Sequence, residues 1–122
     1  DPKKAFQKLF ESAIARWTSG AHDADYPESW TAFNARCKAA LETLVLRLGP
    51  SKTTLVFTSG GFIGVTLQHL LGLSAQQAFS FNWNIANASL TRVIYGARGI
   101  SLQSFNEHGH VEILNGELLT FR

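Results

Sequence analysis

The turn Thr58-Ser59-Gly60-Gly61 has the residue types and spacing best suited to chemistry in this chain. An apolar run from Thr53 to Phe57 leads into it, and Phe62-Ile63 opens a helix ending near Gly72. A strand, a turn of small residues and a helix, in that order, present free backbone N–H groups and the positive end of a helix dipole to whatever sits above the strand. The chemistry this points to is anion binding. Ser59 adds a hydroxyl donor, and Gly60 and Gly61 allow the backbone to approach an oxyanion closely. Two plainer readings stay open beside it. Ser59 is also a suitable helix N-cap, a role compatible with facing an anion, and the glycines also suit a tight turn.

Other chemically capable side chains are scattered. His108 and His110 fall just past the last predicted strand, in a turn containing Gly109, where either could contact substrate or transfer a proton, or could simply be solvated. Glu107 and Glu112 are carboxylates of the acid–base type, but nothing in their spacing sets them in a cleft, and both read as solvent-facing. His69 lies inside a predicted helix and reads as structural. His22, His69, His108 and His110 show no ligand spacing, and a single cysteine cannot build a zinc cluster, so neither a metal nor a cofactor is expected. Cys37 shares an apolar helix face with Phe33 and Leu41 and reads as core.

The elements that must position these residues follow from periodicity. Phe6, Leu9, Phe10, Ala13, Ile14 and Trp17 recur at three- and four-residue steps, predicting a helix over 3–18. A second helix over 29–48 starts at Ser29, stops at Gly49-Pro50, and presents Trp30, Phe33, Cys37, Leu41, Leu44 and Leu48. Three consecutive apolar residues in 53–58 predict a strand buried on both faces. A helix over 61–71 follows, then a capping-box pattern at Ser74-Ala75-Gln76-Gln77 opens a short one. Strands at 89–95 and 100–106 make a hairpin around Gly96-Ala97-Arg98-Gly99, and 117–122 reads as an extended edge segment. Helices flanking a buried strand, with a hairpin, define an α/β three-layer domain. The strands are too few to cover the helical surface, which predicts that part of the sheet lies outside this sequence.

Composition narrows the function classes. The 122 residues make one domain, 1–122, with 45% hydrophobic residues and 11 basic against 9 acidic. Lys3, Lys4 and Lys8 form the single basic cluster, which argues against nucleic-acid and polybasic membrane binding. One cysteine excludes an internal disulfide and fits a reducing, cytoplasmic location. No apolar run approaches a membrane span. A chain that opens Asp1-Pro2 and contains no methionine reads as trimmed or processed.

Taken together, several blocks resemble the histidine phosphatase superfamily, with its phosphoglycerate mutase-like α/β/α fold. They are Pro27-Glu28-Ser29 with Phe33 and Arg36, then Leu55 to Ile63, then Leu70-Leu71-Gly72-Leu73. Asn87 to Thr91, Ser104 to His110 and Leu118 to Arg122 follow in the same order. The resemblance covers the family's C-terminal half. It implies a metal-free phosphomonoester hydrolase working through a phosphohistidine, with Ser59, Gly60 and the Gly61 N–H at the phosphate. Ser59 stands where most members have a second histidine, and a serine hydroxyl donates one hydrogen bond but carries no charge. The Arg-His-Gly motif that supplies the nucleophile is absent from residues 1–26, so the fold is expected to be incomplete, without its first strand. The implied partner is a small phosphorylated substrate. Two further readings remain: an impaired domain that binds a phosphorylated ligand or protein, and a homo-oligomer in which another copy completes the sheet edge.

Overall fold

The structure is a computed structural model that describes residues 1–121. Helix α1 spans Pro2–Thr18, α2 Trp30–Leu48, α3 Gly60–Leu71 and α4 Ala75–Asn82; strands β1 (Leu90–Gly96) and β2 (Gly99–Glu107) precede α5 (Gly109–Leu114). The α/β class expected from the sequence is the one that forms. Among the described residues, no helix is long and apolar enough to cross a membrane.

Helix ends fall where the local chemistry puts them. Asp1 caps α1 by accepting from the Lys3 N–H, with Pro2 in the first turn. Ser29 Oγ accepts from the Ala32 N–H at 3.1 Å to start α2, and Gly49 ends it at φ 76°. Ser74 and Gln77 complete the predicted capping box, with bonds of 3.1 and 2.9 Å that satisfy two otherwise orphaned N–H groups. The hairpin closes on Gly96↔Gly99, and the positive φ of Gly99 is the conformation the turn requires.

The core is an aromatic wedge between helices. Trp30, Cys37 and Val65 are buried, and Trp17, Phe33, Phe62 and Phe79 pack around them. Trp17 and Trp30 meet edge to face, their centroids 5.3 Å apart, and Trp30 lies 5.3 Å from Phe79. The Trp17 indole N–H donates to the Glu28 carbonyl at 2.9 Å, so a large buried ring leaves no unpaired donor. Burial pushes the Cys37 thiol above its ordinary pKa, in keeping with its reading as core. His69 is structural as well. Its Nε2 donates to Asn34 Oδ1 at 2.7 Å, and Asn34 Nδ2 donates to Gln68 Oε1 at 2.7 Å, tying α2 to α3. Partial loss of hydration, with help from nearby Lys38, lowers the His69 pKa.

Two expectations need correction. Residues 53–58 are extended but join no ladder, and Leu55, Val56 and Phe57 are 73%, 51% and 92% exposed. An apolar run becomes a buried strand only where other strands pair with its backbone. Here the sheet contains β1 and β2 alone. The stripe of α1 is likewise packed only towards its C-terminal end: Trp17 joins the core, while Phe6 and Leu9 face solvent. Of the predicted edge segment at 117–122, Phe121 forms an isolated bridge with Ala86, residues 116–118 make a 3-10 turn, and Arg122 lies outside the described residues.

Two measurements check this packing. Trp30→Ala should lower unfolding free energy by about 3–5 kcal/mol in urea titration, whereas Phe57→Ser should change it by no more than about 0.5 kcal/mol; a large loss for Phe57→Ser would restore the buried strand. For His69, a lowered folded pKa means that the unfolded chain takes up protons first as pH falls. Stability should therefore be full above the ordinary imidazole value of about 6.5 and decline below it. His69→Gln should flatten that decline in denaturation midpoints measured across pH.

Candidate phosphate-binding site

Ser59 is the N-cap of α3, with extended backbone at φ −108°, yet its hydroxyl makes no capping bond. The first hydrogen bond of the helix runs from the Ile63 N–H to the Ser59 carbonyl at 3.3 Å. The N–H groups of Gly60, Gly61 and Phe62 therefore have no acceptor among the described residues. One hydroxyl and three amide donors thus converge at the positive end of a twelve-residue helix. An oxyanion is the ligand such a set can take. It holds no nucleophile and no cation, since no Asp, Glu, Lys or Arg occurs from Thr53 to Thr91.

The turn is held in place by residues from the other sequence blocks. A Cβ on Gly61 would lie 3.3 Å from Phe33 Cζ, so Phe33 of α2 packs directly under the turn. Phe33 is covered in turn by the Arg36 guanidinium, 5.4 Å from its centroid, and Arg36 pairs with Glu28 through bonds of 2.8 and 3.0 Å. That pairing holds the Glu28 carboxyl below its ordinary pKa. The Glu28, Phe33 and Arg36 spacing is thus a brace that positions the glycine turn.

Sequence reading passed over Asn82 as a neighbour of this turn. A Cβ on Gly60 would fall 1.9 Å from Asn82 Oδ1, so the amide at the end of α4 lies directly over the turn. That side chain has no hydrogen-bond partner among the described residues. Nothing local in the sequence signals the contact, because it depends on how α4 folds back against α3. The seam between Gly60, Gly61, Gly64, Trp30, Ala78 and Asn82 is closely packed and has no room for water. The donors face outward from it: Ser59 is exposed.

The histidines are placed elsewhere. His108 caps α5, with Nδ1 donating to the Asn106 carbonyl at 2.6 Å and Nε2 lying 3.4 Å from Glu112 Oε1. His110 Nε2 donates to the Ala88 carbonyl at 2.9 Å, which leaves its Nδ1 free. Among the described residues, no hydrogen bond or ion pair joins either one to the Ser59–Gly61 turn. The remaining tail blocks serve the scaffold. Asn106, at φ 56°, accepts from the Ala86 N–H and donates to the Asn84 carbonyl, and Asn87 pairs with Thr120 through backbone and side chain.

A glycine-bearing helix start, braced from α2 and facing an anion with neutral donors, is a phosphate-type site in an α/β frame. The chain belongs to the histidine phosphatase superfamily, branch 1, whose family model matches residues 2–108. The match takes in α1, ahead of the residues that carry the resemblance, and ends at His108, leaving His110 beyond it. No curated protein and no solved structure matches the chain. Membership carries a phosphatase- or mutase-like function in general terms, with an α/β histidine phosphatase-like fold.

The two glycines should respond differently to a methyl group. Gly61→Ala must displace the packed Phe33 ring and should cost about 1 kcal/mol. Gly60→Ala needs only the unpartnered Asn82 amide to swing away and should cost less. Chemical denaturation of the two variants reads the order, and the reverse order would mean that Asn82 is the more rigid neighbour.

Proposed function

We propose that this chain supplies one wall of the phosphate site in a metal-free phosphomonoester hydrolase, the C-terminal half of a histidine phosphatase domain. The observation that carries this reading is the Ser59 hydroxyl, left free at the start of α3 beside the unpaired N–H groups of Gly60, Gly61 and Phe62. In the first step of such a reaction, a histidine nitrogen attacks phosphorus and the substrate's alcohol oxygen leaves, taking up a proton. In the second, water attacks the phosphohistidine, the P–N bond breaks and inorganic phosphate departs. The Ser59 turn holds non-bridging oxygens through both steps, where charge on the transferring group is greatest. None of the 122 residues matches Arg-His-Gly, so in this reading the nucleophile is contributed from outside them.

Between the two tail histidines, His110 is the better supported proton carrier, because its Nδ1 is free while both nitrogens of His108 face acceptors. The second reading, a phosphate-binding domain impaired in catalysis, rests on Ser59 itself: a neutral donor takes the place of a group that can carry charge. The substrate in both readings is a small phosphorylated molecule.

Phosphate titration followed by amide NMR tests the wall directly. Shifts should concentrate at Gly60, Gly61 and Phe62, and Ser59→Ala should weaken binding about tenfold, the loss of one hydrogen bond to a charged group. Unmoved amides would remove the site. Turnover by the parent polypeptide in EDTA then separates enzyme from binder: Ser59→His should raise activity in an impaired domain and lower it, or leave it unchanged, in a working serine variant.

A further inference from the structure

Residues 53–58, Thr-Thr-Leu-Val-Phe-Thr, form a strand-ready segment with nothing paired to it. None of their backbone N–H or C=O groups has a hydrogen-bond partner among the described residues, and three consecutive apolar side chains stand in solvent. The segment is nonetheless held extended from both ends. Tyr95 Oη accepts from the Lys52 N–H at 3.3 Å and donates to the Gly49 carbonyl at 2.5 Å, and Ser59 starts α3. Ordering it on association therefore costs little further backbone entropy.

Soluble proteins protect exposed strand edges with lysine, proline, bulges or covering elements. This one has none of them within the segment. No charged residue occurs from Thr53 to Thr91, and the three prolines are Pro2, Pro27 and Pro50. High β propensity, zero charge and no proline in a six-residue exposed run are the properties of segments that pair with themselves.

We propose that residues 53–58 are a self-association edge whose occupant is the same segment of a second copy of this chain. The complement such an edge calls for is an extended, uncharged, β-branched and aromatic strand, and the segment is itself one. Pairing it with itself brings no like charges together. A two-fold axis makes the pair antiparallel, so each copy's unpaired backbone satisfies the other's and Leu55, Val56 and Phe57 lose solvent from both. The proposal goes beyond the phosphate-site reading and does not depend on it.

Sedimentation velocity of the 122-residue chain from low to high micromolar concentration tests it. Monomer should give way to dimer as concentration rises, and the amides of Leu55 and Val56 should become slower to exchange in parallel. Val56→Lys should leave the circular dichroism unchanged and hold the chain monomeric at every concentration, while Leu9→Lys, on the exposed part of α1, should still dimerise. A monomer at all concentrations with fast-exchanging amides at 55–57 overturns the proposal. So does a Val56→Lys variant that dimerises like the parent sequence, or dimerisation lost only with Leu9→Lys. Phosphate titration of monomeric Val56→Lys reads the Ser59 turn separately, so either reading can fail without the other.

Discussion

Close approach at one face of α3 is the constraint on which the rest of this structure depends. Gly60 meets the amide of Asn82, Gly61 meets the ring of Phe33, and Gly64 comes within ordinary contact of the Ala78 carbonyl. With side chains at those positions, α2 and α4 would stand further off, and the aromatic wedge of Trp17, Trp30, Phe33 and Phe79 would not close over Val65. The same glycines leave the start of the helix uncluttered. Packing and anion recognition therefore draw on one feature: absent side chains bring the neighbours in and leave the backbone donors open.

The braces around that helix are polar and partly exposed. Glu28–Arg36 and Arg16–Asp25 are ion pairs at the surface, whose value lies in orientation more than in stability. Arg36 spreads over Phe33 and keeps that ring under Gly61. On the opposite side, Asn34 joins Gln68 and His69 to hold α2 against α3. The α3 helix is thus fixed from below by an aromatic ring and from the side by a hydrogen-bonded clamp, and its N-terminus points in a set direction with no charged residue near it in sequence.

Helix boundaries, the capping box and the hairpin were legible in the sequence because each is decided within a few residues. Ser29, Gly49, Ser74 with Gln77, and Gly99 act on backbone groups one to four positions away. The anion-binding character of Thr58-Ser59-Gly60-Gly61 was legible for the same reason. The burial of 53–58 was not. Three apolar residues in a row declare a preference for a covered strand, but cover has to come from elsewhere, and the one hairpin that forms pairs only with itself. Asn82 was missed because its place over Gly60 depends on the angle at which α4 returns.

What the sequence determined by itself is therefore the set of short-range choices: where helices start and stop, where the hairpin turns, and that an oxyanion is the ligand the Ser59 turn is built to meet. Tertiary structure alone decided which apolar faces found partners. It buried Trp30 and Cys37, left Phe6, Leu9 and Phe57 in solvent, spent the His108 ring nitrogens on the Asn106 carbonyl and Glu112, and brought Asn82 to the glycine turn. The physical reason is range: capping and turn formation satisfy backbone groups within a few bonds' reach, whereas burial needs a second surface whose position no local pattern encodes.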